Sequence, residues 1–254
     1  MKRRILSLGF VMVLLGLFAG CKPPGPSTPP TSIDEAFSRL HAAQPHGKNQ
    51  EDQRVLYNTI VWEVLADPRN AELSRSEELF EVILAKGLAN EALALYVLSQ
   101  PKWFHKPKAV EWAMKIVHEG GKGGLQMLQA TLATDLWANE QGAELARFAI
   151  GRKVNEDTAP WKYCDSVLAL TLKSGPWQAH PDLVLELVER MILTGLASPQ
   201  ALTDLLKAPA LANNPKTAVL LDVYADLLAQ AHSDKKISLG DKARRYFRLR
   251  TVTK

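Results

Sequence analysis

Residues 183–211 read LVLELVERMILTGLASPQALTDLLKAPAL, and this stretch decides the fold class. Apolar residues recur every three to four positions up to Gly195, which is the spacing of one helix face. Gly195 is typical of a helix end, and Ser198-Pro199 is typical of an N-cap followed by the first residue of a helix. The stretch therefore predicts two apolar helices joined by a short loop, which is a helical hairpin.

The same arrangement occurs three more times upstream, over residues 78–103, 109–137 and 142–177. The glycines that end the first helix of each hairpin are Gly87, Gly120, Gly151 and Gly195, and the four stretches close at Trp103, Trp137, Trp177 and Leu211. These closing positions lie 34, 40 and 34 residues apart, and the longest interval contains the polar insertion RKVNEDTAP. Because the three tryptophans recur at equivalent positions, we expect them to pack in the core or between repeats.

A period of 34–40 residues with two helices per unit resembles the tetratricopeptide, Sel1-like and HEAT families of α-solenoid, over residues 50–232. The W-x₂-L-G-x₂-Y consensus of the tetratricopeptide family is missing, which leaves the subfamily open. The resemblance implies an all-α body of stacked helical hairpins, because one hairpin cannot bury its apolar face alone. The alternative is an irregular helical bundle whose helices share only their amphipathic pattern.

The N-terminus begins with the basic cluster Lys2-Arg3-Arg4, which is followed by an uncharged apolar run from Ile5 to Ala19. Fifteen helical residues reach only about 22 Å, whereas the hydrocarbon core of a bilayer is ~30 Å thick. A basic start, a short apolar run and small residues before a break are typical of a secretory signal peptide.

The residues at the break, Leu17-Phe18-Ala19-Gly20-Cys21, resemble the lipobox of bacterial prolipoproteins, although Phe18 departs from the usual Leu, Val or Ile. The resemblance implies cleavage between Gly20 and Cys21 and lipidation of Cys21. Lys22 stands where family members held in the inner membrane commonly carry Asp, so the outer membrane is the expected destination. The alternative is an ordinary cleaved signal peptide or an N-terminal anchor helix, with Cys21 incidental.

A proline-rich stretch, CKPPGPSTPPTS at residues 21–32, follows the signal peptide and predicts an extended tether about 35 Å long. The next residues, Ser32-Ile33-Asp34-Glu35, fit the S-x-x-E capping box, so a helix is expected from there to about Ala43. The chain is thus predicted to comprise a signal peptide (1–20), a tether (21–32), a helical body (33–234) and a basic C-terminal segment (235–254).

The basic C-terminal segment contains eight Lys or Arg residues and one Asp. A helix from Asp241 onward would group aromatic residues on one side and arginines on the rest. The candidate interaction residues there are Arg244, Arg245, Tyr246, Phe247 and Arg248. Their expected partner is anionic lipid, peptidoglycan or an acidic protein, and the alternative is a helix whose aromatics close the end of the solenoid.

The charge of the chain is unevenly distributed. Loss of the three basic residues of the signal peptide lowers the formal charge from +4 to +1, and the last twenty residues contribute +7, so residues 21–234 carry −6. A negative body that is exported from the cytoplasm argues against nucleic acid as a partner.

The sequence contains no catalytic or metal-binding motif with its usual context. His118-Glu119 begins like H-E-x-x-H, but Lys122 stands at the position of the second histidine. The glycine-rich stretch 120–124 lacks the spacing of a phosphate-binding loop and predicts a turn between helices. Cys164 lies in an apolar helical pattern, which favours a buried inert thiol over a reactive or intermolecular one. We therefore expect no enzymatic activity, no metal and no cofactor.

The function expected from these features is that of a periplasmic lipoprotein, anchored in the outer membrane through Cys21. Its helical repeats would act as a scaffold, adaptor or assembly factor that binds other envelope proteins, for example in a secretion, conjugation or pilus system. Trp103-Phe104 directly follows a helix end and is a further candidate for contact with a partner, beside the core interpretation. The alternative function is a peptidoglycan-binding or peptidoglycan-acting enzyme module.

Overall fold

The structure is a computed structural model that describes residues 32–42, 64–65, 70, 74–85, 98–119, 121–151 and 161–233. Its regular elements in these ranges are all helices, and no strand occurs among them, so the all-α prediction is confirmed. The α-helices are α1 (Ile33–Ala42), α2 (Ser74–Ala85), α3 (Pro101–Phe104), α4 (Ala109–Glu119), α5 (Gly121–Leu132), α6 (Glu140–Ala149), α7 (Trp161–Leu172), α8 (Pro181–Leu193), α9 (Pro199–Leu206) and α10 (Pro215–Ser233). Two short 3₁₀ helices, Asp135–Trp137 and Pro176–Ala179, precede α6 and α8.

The chain divides into two compact units, Met1–Leu93 and Ala94–Lys254. In the first unit α1 contacts α2. Arg75 on α2 forms an ion pair with Asp34 on α1, and its guanidinium carbon lies 4.6 Å from the ring centroid of Phe37. The apolar side chains between the helices, which include Phe37 and Phe80, are buried, so one arginine joins two helices over a small apolar core.

The helix starts predicted at Ser32 and Ser198 agree with the structure. The backbone N–H of Glu35 donates to Oγ of Ser32 at 3.1 Å, as the capping box requires. The N–H of Ala201 donates to Oγ of Ser198 at 3.1 Å, and the N–H of Lys216 donates to Oδ1 of Asn214 at 3.0 Å. Gly151 and Gly195 follow the ends of α6 and α8 at φ values of +86° and +70°, a conformation that favours glycine.

The helices of the second unit contact one another in a regular order. α4 contacts α6, α6 contacts α8 and α8 contacts α10, while α5 contacts α7 and α7 contacts α9. We call the first set (α4, α6, α8, α10) layer A and the second set (α5, α7, α9) layer B. Each helix thus packs on the next helix but one in the chain, which is the order that stacked hairpins produce. Membership of a particular repeat family remains a prediction.

The recurring tryptophans hold successive hairpins together. Nε1 of Trp137 donates to the carbonyl oxygen of Leu98 at 2.9 Å, and Nε1 of Trp177 donates to the carbonyl oxygen of Leu132 at 2.6 Å. Leu98 precedes Trp103 by five residues and Leu132 precedes Trp137 by five residues, so the two bonds share one register. Leu132 is the last residue of α5, so the bond from Trp177 satisfies a carbonyl at a helix end, where intrahelical donors run out.

Gly142 is required by the close packing around these indoles. A Cβ atom at this position would lie 1.7 Å from the carbonyl oxygen of Trp137 and 3.2 Å from Cζ2 of Trp177. The N–H of Gly142 donates to Oδ1 of Asn139, the N-cap of α6, at 3.2 Å. The start of α6 therefore fits between two tryptophans only because this residue has no side chain.

The prediction of a turn at the glycine-rich stretch is wrong for residues 121–124, since they form the first turn of α5. The physical reason is the close approach of α4 and α5. A Cβ atom at Gly124 would lie 2.8 Å from the carbonyl oxygen of Val117 on α4. Glycine at this position allows the two helices to approach more closely than a side chain would permit.

We expect Gly142→Ala to lower the free energy of unfolding by roughly 1–3 kcal/mol, because the new methyl group must displace the Trp137 backbone. The control is Gly175→Ala, since nothing lies within 4 Å of a Cβ atom built at Gly175. The control is expected to change stability by less than about 0.5 kcal/mol. Urea unfolding followed by far-ultraviolet circular dichroism measures both, and equal effects of the two variants would show that the contact at Gly142 is unimportant.

We expect Trp177→Phe to lower the free energy of unfolding by about 2–4 kcal/mol, because it leaves the buried carbonyl of Leu132 without its donor and removes part of a buried ring. Leu170→Ala serves as the control, since this apolar side chain is 54% exposed. The same denaturation experiment measures both variants. A loss at Trp177 no larger than that at Leu170 would contradict the structural role of the indole.

Candidate functional site

Most residues predicted to act on a membrane or a partner lie outside the described residues. These are Gly20 and Cys21 at the N-terminus, and Arg244, Arg245, Tyr246, Phe247 and Arg248 near the C-terminus. The signal peptide, the tether up to residue 31 and the segment 235–254 also lie outside, and their predicted roles stay predictions. Cys164 lies within α7, but its side chain is not among those described.

Trp103 and Phe104, the other candidates for contact with a partner, are buried. Their exposed fractions are 0% and 3%. The ring of Trp103 lies 5.9 Å from that of Trp112, and Phe104 makes an edge-to-face contact with Trp137 at 5.1 Å between centroids. Their assignment to a partner-binding surface is therefore corrected: these rings form an aromatic cluster in the core, and a partner has no access to them in this conformation.

The charged surface of the second unit lies on layer A. The four helices of this layer contain nine Asp or Glu residues and four Lys or Arg residues, whereas those of layer B contain two of each kind. The acidic residues of layer A that are exposed are Glu111, Glu140, Glu144, Asp182, Glu186, Asp222 and Asp226. Of the two layers of the second unit, only layer A therefore has a net negative charge on its described helices, and we call its exposed surface the acidic face.

Arg147 organises the centre of the acidic face. Its Nε donates to Oε1 of Glu186 at 2.7 Å and its Nη2 donates to Oε2 of Glu186 at 3.0 Å, which joins α6 to α8 by a bidentate pair. Nη2 also donates to Oε1 of Glu140 at 2.7 Å. The hydrogen bond from Arg147 holds the pKa of Glu186 below its usual value. Two carboxylates share one guanidinium here, so the group keeps a net negative charge.

Asp165 is a buried carboxyl group on layer B. It lies on α7 on the same helix face as Leu168, Ala169 and Leu172, and its exposed fraction is 0%. Neither carboxylate oxygen has a hydrogen-bond partner in the part of the chain that the structure describes. Burial raises the pKa of Asp165 from 3.8 to about 7, with no contribution from another charged group. Burial is therefore the physical cause of the raised pKa.

The described ranges contain no group of three or more His, Cys, Asp or Glu residues arranged to hold a metal ion. They also contain no helix with the length and apolar character needed to cross a bilayer.

The structure reveals two features that reasoning from sequence missed. The ion pair between Arg147 and Glu186 joins residues 39 positions apart, and no local pattern indicates it. The burial of Asp165, in contrast, could have been predicted from the sequence. Leu168, Ala169 and Leu172 follow it by three, four and seven residues, so Asp165 lies on the apolar face of the helix. An acidic residue at a core position of a helical pattern indicates either a partner or a shifted pKa.

Known proteins give no indication of the function of this chain, so the geometry of its described residues is the evidence for it. No protein-family model, no curated protein sequence and no solved structure matches this chain.

We expect the pH dependence of stability to carry the signature of Asp165. Below about pH 4 the group is protonated in both states and contributes nothing, whereas between about pH 4 and 7 only the unfolded chain releases the proton. Stability is therefore lost as the pH rises through this window, and the full loss, a few kcal/mol, is present above it.

The variant Asp165→Asn removes this effect, and the control is Asp204→Asn on α9, a partly exposed position. We expect the stability of Asp165→Asn relative to the wild type to increase between pH 4 and 8 in urea unfolding, while that of the control stays level. A difference for Asp165→Asn that does not change with pH would refute the raised pKa.

Proposed function

We propose that this chain is a bacterial outer-membrane lipoprotein whose helical body binds other envelope proteins as a scaffold, adaptor or assembly factor. The signal peptide and the lipobox resemblance at Cys21 support the anchor. A secretion, conjugation or pilus system is the kind of assembly in which an anchored helical adaptor of this type serves.

The observation that carries the proposal is the packing order of the second unit. When each helix stacks on the next helix but one, repeated elements build an extended surface. Such surfaces bind protein partners. The hairpins bury their largest rings, Trp103, Trp137 and Trp177, in the interior. The surface available to a partner is therefore formed by the solvent-facing residues of the layers.

The acidic face determines the chemistry of the expected partner. Exposed carboxylates on α4, α6 and α8 favour a partner with a complementary basic surface, which accelerates association and disfavours acidic proteins. The lipid on Cys21 would confine the body to the membrane surface, so that a membrane-bound partner meets it at a high effective concentration.

The experiment is crosslinking and purification of the native, membrane-anchored protein, followed by identification of the proteins recovered. We expect an envelope protein to be recovered with the wild-type chain and lost with Glu144→Lys, which reverses an exposed charge at the centre of the acidic face. The control is Gln200→Lys, which introduces the same lysine at an exposed position of layer B. Equal recovery with both variants would refute binding through the acidic face.

A second arm of the same experiment tests the anchor. Cys21→Ser is expected to abolish both acyl labelling and membrane fractionation, because the thioether to the lipid forms on this sulfur. Cys164→Ser is the control and is expected to leave both unchanged. Membrane retention and labelling that survive Cys21→Ser would exclude the lipoprotein assignment without bearing on partner binding.

A further inference from the structure

Asp165 is a titratable group in the interior of the second unit that the proposed function does not use. It lies on α7 and is 0% exposed, and its neighbours on the same helix face, Leu168, Ala169 and Leu172, are buried as well. Neither carboxylate oxygen accepts a hydrogen bond within the described ranges. Packing therefore encloses the carboxyl group, and no donor among the described residues stabilises a negative charge on it.

The described side chains of the helices around Asp165 supply no counter-charge. α5, α8 and α9 pack on α7, and α5 has no titratable group among its described side chains. The described titratable side chains of α8 and α9 are those of Asp182, Glu186, Glu189, Arg190 and Asp204. Each of them is at least partly exposed, and none contributes to the pKa of Asp165.

The protonation state of Asp165 determines whether it can stay in the core. An ionised carboxylate without partners is costly to bury, so the buried form is the protonated acid. Burial raises the pKa of Asp165 from 3.8 to about 7. The charged form avoids the cost of desolvation only where it reaches water, so a conformation that exposes Asp165 is increasingly favoured as the pH rises.

The shortest route along the chain from Asp165 to an end of its helix leads to the start of α7. Asp165 is four residues from Trp161, the first residue of α7, and seven residues from Leu172, the last. Opening little more than one helical turn at the start therefore exposes the carboxyl group. Local opening of a helix end requires less free energy than unfolding of the whole body.

A contact between α7 and α9 marks where this opening would occur. Oγ of Ser166 lies 3.4 Å from Oγ of Ser198, the N-cap residue of α9. Ser166 directly follows Asp165, so this part of α7 lies beside the start of α9. Exposing Asp165 moves the start of α7 away from α9, and it requires no change in the stacking of layer A.

We propose that Asp165 is a pH-sensitive switch in layer B. Its protonated form holds the start of α7 against α9, and its ionisation favours an opened form in which residues 161–166 leave the core while the helices of layer A stay folded. Rising pH thus makes part of the interior of layer B accessible, and acid covers it again. This inference does not depend on the proposed adaptor function.

The test is native-state amide hydrogen exchange of the full-length protein between pH 5 and 7, read by mass spectrometry under conditions where opening is faster than chemical exchange. The wild type is compared with Asp165→Asn at each pH, so that the pH dependence of the chemical step cancels. We expect the ratio of the exchange rates in peptides from 161–172 to rise on the order of 50-fold over this range. Peptides of α8 (181–193) are expected to show a constant ratio.

Asp204→Asn on α9 is the matched control, since it removes the charge of a partly exposed carboxylate in the same layer. Its exchange in 161–172 is expected to keep a constant ratio to that of the wild type. A constant ratio for Asp165→Asn in 161–172 would overturn the switch. An equal rise in the peptides of α8 would show that the body opens as a whole, which would overturn the local opening.

The wild type alone provides a measurement that does not depend on the folding of a variant. The protection of 161–172 relative to 181–193 in the same molecule is expected to fall by the same factor between pH 5 and 7. Relative protection that stays level over this range would contradict the proposal even if Asp165→Asn did not fold.

Discussion

The second unit depends on one repeated interaction, the hydrogen bond from a tryptophan indole to the last carbonyl groups of the preceding hairpin. The bonds from Trp137 to Leu98 and from Trp177 to Leu132 share the same register. A helix end leaves carbonyl groups without intrahelical donors, and burying such a group unsatisfied is costly. The indole supplies the donor and the apolar bulk together, so each of these two bonds joins a hairpin to the hairpin that follows it. Gly142 adapts the start of α6 to this arrangement, because any side chain there would meet the Trp137 backbone.

This packing separates the electrostatics of the two layers. Layer A carries the exposed carboxylates, while the described helices of layer B carry few charges, one of which is the buried Asp165. On layer A, the Arg147 guanidinium joins α6 to α8 through Glu186 and still leaves the surface negative. Exposed ion pairs of this type contribute little to stability, typically less than about 1 kcal/mol each. The ion pairs of the acidic face therefore add little to the stability of the fold.

Asp165 opposes the stability that the rest of the core provides. It occupies an apolar stripe without a hydrogen-bond partner among the described residues, and burial raises its pKa to about 7. A carboxyl group that ionises near neutrality inside a helix layer makes the body less stable as the pH rises. Burial alone raises this pKa, and no second ionisable group within the described ranges contributes to the shift.

The features that depend only on neighbouring residues could be read from the sequence. These are the all-helical class, the helix starts at Ser32 and Ser198, and the helix ends at Gly151 and Gly195, because capping and positive φ are local properties. The spacing of Trp103, Trp137 and Trp177 predicted that they share one role, but their partners are 39 and 45 residues away and follow no local rule. The contacts between helices were needed to show that Trp103 and Phe104 are buried, that residues 121–124 begin a helix, and that Arg147 binds Glu186. These outcomes depend on which helices lie side by side, and that choice is made by the whole core and not by any one segment.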